Sequence, residues 1–374
     1  MELKINKDHF HKAILDVSKV VSSRTSLPIL TGIKIVAKDD SLTLIGSNSD
    51  IFIERTIPKV SNGINMFEVY QTGSVVISAK YLGEIIKKLP EDIDLKVNEN
   101  QTVTIKSGEV ISKLNGLMAE EYPSLPEIDL RNNIRITSGD LLEIIKQTVF
   151  AASKNETRPV LTGVNFTFQK DLLTCVATNS QRLALKKYKV KSNVEGSFIV
   201  PSTALTEILK LFSHESVINL YATETNMLFK SHTISVYTRL IEGSYPNTSG
   251  LIPNDSKTIV TLDTKQLLKG IDRASLFGSE RNNNITFQIN DKSKINISSK
   301  SSEMGQIEEM QYIKNITGNE EIRITLDGNF MMDALKVIKE DEVSLHFNGS
   351  IRPILILPIG NESQLQLISP VRSQ

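Results

Sequence analysis

The fold of this chain is decided by a stretch that occurs twice, Ser26-Leu-Pro-Ile-Leu-Thr-Gly-Ile-Lys-Ile35 and, about 130 residues later, Thr157-Arg-Pro-Val-Leu-Thr-Gly-Val-Asn-Phe166. Each copy is followed by a polar turn, an apolar strand and a motif of small residues, Ile45-Gly-Ser-Asn-Ser-Asp50 and Val176-Ala-Thr-Asn-Ser-Gln181. A fainter third copy reads Asn282-Asn-Asn-Ile-Thr-Phe-Gln-Ile289. Repetition at this long period predicts one structural unit used three times.

A second repeated unit predicts a helix late in each third of the chain. It reads Ala79-Lys-Tyr-Leu-Gly-Glu-Ile-Ile-Lys-Lys-Leu89, Ser202-Thr-Ala-Leu-Thr-Glu-Ile-Leu-Lys-Leu-Phe212 and Gly328-Asn-Phe-Met-Met-Asp-Ala-Leu-Lys-Val-Ile338. Apolar residues recur at helical spacing, with an acid and a lysine at matching positions, namely Glu84, Glu207, Asp333 and Lys87, Lys210, Lys336. This pattern indicates an amphipathic helix in each copy, followed by a strand of alternating polarity.

Each third also begins with a helical pattern. Its apolar stripes are Phe10, Ile14, Val17 and Val21, then Leu142, Ile145 and Val149, then Leu267, Leu268, Ile271 and Ala274. Ser138 is predicted to cap the second of these helices. Each third therefore alternates helix, strands, helix and strands, which favours an α+β fold with antiparallel sheets covered on one face by helices.

The repeats predict three similar domains, each made of two helix-plus-antiparallel-strand halves. Loop-like sequence places the boundaries at 1–128, 129–253 and 254–374. A curved array of this kind has either open edges that need protection or a second copy that closes it into a ring.

Composition excludes several classes of protein. Among 374 residues, 40% are hydrophobic and 23% are charged, which excludes disordered and collagen-like chains. Lys plus Arg and Asp plus Glu both number 43, so non-specific electrostatic binding by the whole chain is not expected. The single cysteine, Cys175, fits a reducing compartment. Because the start lacks a signal-peptide pattern and the apolar stretch 351–359 is too short to span a bilayer, a cytoplasmic protein is expected.

The sequence lacks the common catalytic motifs. It contains no G-x-x-x-x-G-K phosphate loop, no H-E-x-x-H and no G-x-S-x-G. Five histidines and one cysteine offer little material for a metal site. We therefore expect a protein that is not an enzyme and needs no cofactor or metal.

Four stretches together resemble the bacterial DNA polymerase sliding clamp family, the beta subunits of the replicative DNA polymerase III holoenzyme. They are Arg24-Thr-Ser-Leu-Pro-Ile-Leu30, Val176-Ala-Thr-Asn-Ser-Gln-Arg-Leu-Ala184, Gly243-Ser-Tyr-Pro246 and Leu365-Gln-Leu-Ile-Ser-Pro-Val-Arg372. Their order and spacing match the family over the whole length. The resemblance implies a head-to-tail homodimer that closes around double-stranded DNA without reading its sequence. A clamp loader opens such a ring with ATP, and the ring tethers replicative polymerase and repair proteins that carry clamp-binding motifs.

The resemblance also implies a DNA-facing surface on the helices, to which Arg24 and Arg158 add from the loops that follow the first helices. The expected residues are Lys12, Lys19, Arg24, Lys87, Lys146, Arg158, Lys210, Lys269, Arg273 and Lys336. Taken one at a time, these side chains equally fit an ordinary solvated helix face.

A groove between the second and third domains is expected to bind a partner peptide with glutamine and apolar anchors. The positions that match the family's groove are Leu161, Thr178, Arg182, Leu183, Pro246, Leu251, Pro370, Val371 and Arg372. The three leucines would equally fit a hydrophobic core. Four residues depart from common family residues, which concerns the polar details of the groove: Ser180, Gln181, Gly250 and Asn282.

The ring interface is expected to join the first domain of one subunit to the third domain of another by edge-strand pairing. Lys106 and Lys113 lie on the strands that end the first domain, and Glu303, Glu308 and Glu309 cluster in the third. Leu276 and Phe277 are candidate apolar anchors. Opposite charges at opposite ends favour head-to-tail closure.

A different class of protein fits the same repeats. A monomeric α+β repeat scaffold would bind proteins without encircling DNA.

Overall fold

The computed structural model describes residues 1–22, 24–61, 63–131, 133–192, 194–212, 217–253, 255–278, 283–318 and 321–371. Within them the chain forms two compact units. The first contains residues 1–142 and 203–240, and the second contains residues 143–202 and 241–374.

Six α-helices lie in the described residues, two in each third of the chain. They are α1 (Lys7–Ser18), α2 (Ala79–Lys88), α3 (Ser138–Thr148), α4 (Ser202–Leu211), α5 (Thr264–Ser275) and α6 (Gly328–Lys336). Five 3-10 turns accompany them, at Pro28–Thr31, Ala119–Glu121, Val149–Ala151, Pro159–Thr162 and Ser249–Leu251. The helix pattern predicted from the repeats is confirmed in all three thirds.

The strands of the first third are β1 (Glu2–Ile5), β2 (Gly32–Ala37), β3 (Ser41–Ser47), β4 (Ile51–Pro58), β5 (Val60–Ser61), β6 (Ile64–Asn65), β7 (Phe67–Gln71), β8 (Gly73–Ser78), β9 (Ile93–Val97), β10 (Thr102–Ser107) and β11 (Val110–Leu117). Those of the middle third are β12 (Ile134–Thr137), β13 (Gly163–Gln169), β14 (Leu172–Thr178), β15 (Arg182–Lys189), β16 (Gly196–Pro201), β17 (Val217–Ala222), β18 (Asn226–Lys230) and β19 (Ile234–Arg239). Those of the last third are β20 (Thr258–Asp263), β21 (Asn284–Ile289), β22 (Lys294–Ser301), β23 (Gly305–Tyr312), β24 (Asn315–Gly318), β25 (Ile322–Asp327), β26 (Glu342–Phe347), β27 (Ile354–Pro358) and β28 (Gln364–Ile368).

The first unit is built on a 13-stranded sheet in the order β12-β17-β18-β19-β4-β3-β2-β8-β11-β10-β9-β1-β7. Its strand pairs are antiparallel, as the alternating sequence pattern predicts. Strands β19 and β4 pair from Ile234 opposite Arg55 to Thr238 opposite Ile51. This pairing joins strands of the predicted first and central domains in one sheet, so the boundary predicted at 128 falls inside the first unit and remains a prediction.

The second unit contains two antiparallel sheets. The nine-stranded sheet has the order β16-β13-β14-β15-β28-β27-β26-β20-β24, and the four-stranded sheet has the order β23-β22-β21-β25. Strand β28 pairs with β15, with Leu367 opposite Leu183. The last strand of the chain therefore lies beside a strand of the middle third.

Several helices are capped at their start by the side chain of the polar residue that precedes them. The side chain of Asn6 accepts a hydrogen bond from the N–H of His9 at 3.2 Å, and that of Asp263 accepts one from the N–H of Gln266 at 2.8 Å. At α3 the capping oxygen belongs to Thr137, whose Oγ1 accepts from the N–H of Asp140 at 3.1 Å. The predicted cap at Ser138 is therefore wrong by one residue, because Ser138 already belongs to the helix.

The helices pack closely on the sheets. A Cβ atom on Gly46 of β3 would lie 2.2 Å from the carbonyl oxygen of Val17 in α1, so only glycine allows this contact. In the last third, Leu267, Ile271 and Met331 are buried in one cluster with Phe287 and Phe347. The predicted apolar stripes therefore form the core, although α1 ends at Ser18 and leaves Val21 beyond it.

The repeated Asn-Ser motif forms the same hairpin turn twice. The Oδ1 atom of Asn48 accepts from the N–H groups of Asp50 and Ile51 at 3.1 Å and 2.9 Å. Ser49 has φ 83°, a left-handed conformation that costs energy for a residue with a side chain. The asparagine oxygen offsets that cost by satisfying two main-chain donors.

None of the described helices is long and apolar enough to cross a lipid bilayer. Within the same residues, no group of three or more His, Cys, Asp or Glu side chains is arranged to hold a metal ion.

Replacing Asn48 with alanine should lower the free energy of unfolding by about 1–2 kcal/mol, because two turn N–H groups lose their acceptor. Asn48→Asp is the matched control, since it keeps an oxygen at the same position. Chemical denaturation of both variants measures the effect, and equal stability of Asn48→Ala and the parent chain would contradict it.

Candidate functional site

The predicted DNA-facing side chains are all exposed. Lys12, Lys87, Lys146, Lys210, Lys269, Arg273 and Lys336 lie on the six α-helices, and Lys19 follows α1. Arg24 and Arg158 precede the 3-10 turns at Pro28–Thr31 and Pro159–Thr162. Exposure on helices is compatible with a DNA-facing role and with a solvated surface alike, so the assignment stays a prediction.

Three of these cations have acidic partners. Lys19 lies 3.4 Å from Asp16, and Lys210 lies 2.8 Å from Glu207. Arg273 binds both carboxylate oxygens of Glu309, at 2.7 Å and 2.6 Å. This hydrogen bonding raises the pKa of Arg273 and lowers the pKa of Glu309. Arg273, predicted to face DNA, and Glu309, predicted to lie at the subunit interface, therefore form an ion pair with each other.

The centre of the candidate groove is the hairpin turn between β14 and β15. Thr178 is buried, and its Oγ1 donates to the carbonyl oxygen of Arg182 at 2.6 Å. The Oδ1 atom of Asn179 accepts from the N–H groups of Gln181 and Arg182 at 3.0 Å each. Ser180 has φ 75°. The departure from glycine at Ser180 thus falls on a left-handed position, and Ser180 and Gln181 present exposed side chains at the tip.

Arg182 connects this turn to two other elements. Its Nη1 donates to Asp333 Oδ2 of α6 at 2.7 Å, and its Nη2 donates to the carbonyl oxygen of Phe150. The guanidinium carbon lies 4.3 Å from the ring centroid of Phe330 and 5.3 Å from that of Phe150. With only 8% of the residue exposed, the charge is held by a carboxylate, a carbonyl and two aromatic faces.

Apolar side chains form one wall beside the turn. Leu183 is buried in a cluster with Val176, Leu185 and Leu367, against which Tyr245 packs. Tyr245 also accepts a hydrogen bond through its hydroxyl from the N–H of Thr178 at 3.0 Å. Burial raises the pKa of Tyr245 to about 12, so this hydroxyl is neutral at physiological pH.

Two of the three leucines belong to the core and one does not. Leu161 and Leu183 are 3% and 2% exposed, which agrees with the core alternative, whereas Leu251 is 53% exposed and Pro246 is also exposed. An exposed leucine and proline beside a buried apolar cluster offer contacts for an apolar anchor.

The end of the chain crosses this region. The N–H of Ser369 donates to the carbonyl oxygen of Gln181 at 2.8 Å, and the N–H of Val371 donates to that of Thr325 at 2.9 Å. Pro370 and Val371 are half-buried. The structure therefore brings the predicted C-terminal residues to the β14–β15 turn. Arg372 and Asn282 lie outside the described residues.

The candidate interface residues lie on sheet edges. Strand β11 pairs with β10 along Val110–Asn115, and its other side pairs with β8 only at Gly116 and Leu117. Lys113 lies opposite Thr104, and Lys106 lies opposite Ile111, which is 62% exposed. Both lysines therefore share a face with an exposed apolar residue.

Strand β23 is the outer strand of the four-stranded sheet. Glu308 is exposed on it together with Met310 and Tyr312, which are 59% and 76% exposed. Glu303 is exposed in the preceding turn, Leu276 is 71% exposed after α5, and Phe277 is half-buried.

Several residues of these sites were missed in the sequence. Asp333 could have been found, because the acid recurs at the same repeat position as Glu84 and Glu207. Tyr245 lies in the stretch Gly243–Pro246, which indicates the family but does not by itself indicate a role for the tyrosine in the groove. Phe150 and Phe330 carry no sequence signal for their role, since their contact with Arg182 depends on tertiary packing.

These features define a class: an α+β clamp made of helix-plus-antiparallel-strand repeats, with basic helix faces, open sheet edges and an apolar groove. Comparison with known proteins agrees. The family models for the DNA polymerase III beta subunit match the chain in order: the N-terminal domain at residues 1–126, the central domain at 135–247 and the C-terminal domain at 249–372.

Curated relatives match over 100% of both chains: the beta sliding clamp of Bacillus subtilis at 43% identity and that of Staphylococcus aureus at 39%. The crystal structure of the Bacillus subtilis sliding clamp superposes with a TM-score of 0.97 at 42% identity, and a Streptococcus pneumoniae beta chain with 0.94 at 31%, each with full coverage. The chain belongs to the DNA polymerase III beta subunit family of bacterial sliding clamps. The resemblance inferred from the four sequence stretches and the predicted three-domain clamp fold are both confirmed.

Replacing Arg182 with alanine should lower the free energy of unfolding by about 2–3 kcal/mol, because the partly exposed Asp333 and the Phe150 carbonyl lose their donor. Arg182→Lys should recover only part of this loss, since an ammonium group cannot reach both acceptors in the planar geometry.

Arg158→Ala is the control for that substitution. Arg158 is an exposed arginine for which the described residues provide no ion pair, so its removal should change stability by less than about 0.5 kcal/mol. Equal thermal denaturation of the Arg182 and Arg158 variants would show that the buried contacts contribute nothing.

Proposed function

We propose that this chain is a sliding clamp: two copies close head to tail around double-stranded DNA, and the ring tethers replicative polymerase and repair proteins through its peptide groove. The observation that carries the proposal is the full-length match to beta sliding clamps at 43% identity. The repeated helices with exposed basic residues and the open strand edges support it physically.

Such a ring holds DNA by topology, which explains the balanced charge of the chain. A protein that binds through many phosphate contacts loses affinity steeply as the salt concentration rises. Scattered lysines such as Lys87, Lys146 and Lys336 make weak, mobile contacts with phosphates and carry no sequence preference. The equal numbers of basic and acidic residues, 43 of each, suit a ring that needs no strong electrostatic binding to DNA.

The role is mechanical, so the chain acts as a processivity factor without bond chemistry of its own. ATP-driven opening belongs to a separate clamp loader, and replication places the protein in the cytoplasm.

The proposed domains are 1–128, 129–253 and 254–374.

For the subunit interface we propose that the free edge of β11 in one copy pairs with the free edge of β23 in the other. Unpaired edge strands are templates for such pairing. Lys113 near one edge and Glu308 on the other favour the heterologous arrangement, with Lys106 and Glu303 adding to it. Glu309 contributes less, because Arg273 already binds it. Leu276 and Phe277 provide apolar contact.

For the partner groove we propose that a short peptide places its apolar anchor between Leu251, Pro246 and the Tyr245 cluster. Polar groups of the partner's glutamine meet the exposed tip at Ser180 and Gln181. Thr178 and Arg182 hold this tip in place from below, so their role is to position the binding surface.

The topological mechanism predicts that the protein remains on nicked circular DNA after loading and is released when the circle is cut. Gel filtration of the loaded DNA before and after linearisation measures this. The protein should slide off the ends of the linear DNA, because only the closed ring retains it.

The monomeric scaffold alternative predicts a different result. A scaffold that does not encircle DNA would show the same retention on circular and linear molecules. That outcome would show that the protein does not encircle DNA.

The double variant Leu276→Ala, Phe277→Ala should weaken the dimer about 10- to 100-fold, because apolar anchors near the centre of an interface carry much of its energy. Sedimentation should then show species near the 41.7 kDa mass of one chain. Leu130→Ala, which removes another exposed leucine, serves as the control and should leave the dimer intact. An unchanged dimer in the double variant would exclude these anchors.

A further inference from the structure

A cavity of about 1010 Å³ opens in the second unit beside the last described residues. Its walls are the start of β20 at Lys257 and Thr258, the loop from Gly349 to Ile351, the strand β25, and the segment Pro370 and Val371. The last two residues also belong to the candidate groove, so the cavity borders it at this segment.

The cavity exposes the free edge of β25. In the part of the chain that the structure describes, this strand is the outermost of its sheet and pairs only with β21. Since the carbonyl oxygen of Thr325 accepts from Val371, the main-chain groups of Thr325 point away from β21. Those of Arg323, two residues earlier, point the same way. Among the described residues, the N–H of Thr325 and both main-chain groups of Arg323 have no main-chain partner.

The equivalent strand of the first third is covered on its second side over two residues only. Strand β8, which precedes α2 as β25 precedes α6, pairs with β2 on one side and with β11 on the other. There Gly116 and Leu117 both cover the edge. In the middle third one hydrogen bond, from the N–H of Ile241 to the carbonyl oxygen of Ile199, covers the edge of β16. Val371 makes the equivalent bond in the last third, and the cavity beside it leaves room for one more extended segment.

The walls favour a particular kind of segment. Among the described residues that line the cavity, Lys257 and Arg323 are exposed beside one acid, Glu321, so an acidic side chain is attracted. Ile351 is 83% exposed at the cavity and offers contact to an apolar side chain. Ile324 closes the inner wall.

We propose that this cavity binds the continuation of the partner peptide, which adds to β25 as an extra strand beyond Val371. The inference rests on the proposed function, because the groove must first hold the peptide's anchor. Main-chain hydrogen bonds to Arg323 and Thr325 provide affinity, and alternating acidic and apolar side chains provide the preference. The site thus distinguishes partners by the residues that flank their motif.

The test compares three labelled peptides by fluorescence anisotropy. One is a short core with glutamine and Leu and Phe anchors, and two carry the extension Val-Asp-Val-Asp at one end or the other. One of the two extended peptides should bind the full chain about 5- to 10-fold more tightly than the core. The same extension with proline in place of valine should lose most of that gain, because it lacks the N–H groups.

Two variants of the chain separate the main chain from the side chain. Arg323→Pro removes the outward N–H and leaves the pairing with β21 in place, so it should abolish the gain while core binding is unchanged. Arg323→Ala keeps the N–H and should keep most of the gain. A gain that survives in Arg323→Pro would overturn the proposal, as would two extended peptides that bind no better than the core.

A chain ending at Val371 tests the competing occupant. If the extension helps only this shortened chain, residues 372–374 use the edge themselves and the proposal is wrong. Failure of the core peptide to bind at all would instead refute the groove of the proposed function, and the inference with it.

Discussion

The structure depends on covering the apolar face of each helix with a sheet. A short amphipathic helix is not stable alone in water, and the contact of α1 with Gly46 shows how closely the two layers approach. Because the same solution is repeated six times, six charged helix faces are left outward. The packing that stabilises the fold therefore leaves the basic residues of those faces exposed.

Sheets that grow by repetition also end in edges. In the first unit the side of β11 along Val110–Asn115 is open, and in the second unit both β23 and β25 are outer strands. An exposed edge is a hazard unless it is used. Two of these edges suit closure of a ring, and the third lies in a cavity next to the groove.

The groove depends on a buried charge. Arg182 is held by Asp333, by the carbonyl of Phe150 and by two aromatic rings, so it orients the β14–β15 turn instead of reaching into solvent. The exposed tip at Ser180 and Gln181 is free to vary, since the hydrogen bonds of Thr178 and Asn179 hold the turn's main chain. Departures from common family residues at the tip therefore change the side chains offered to a partner without disturbing the main chain of the turn.

The sequence by itself determined the three-fold repeat, the six helices, the strand polarity and the family, because all of these follow from local periodicity and motif order. The sequence could not show that Leu161 and Leu183 are buried while Leu251 is exposed, since a leucine fits a core and a binding surface equally well. Only tertiary packing brought Phe330 and Phe150 to Arg182, paired Arg273 with Glu309 and left β25 uncovered, because each depends on residues far apart in the chain.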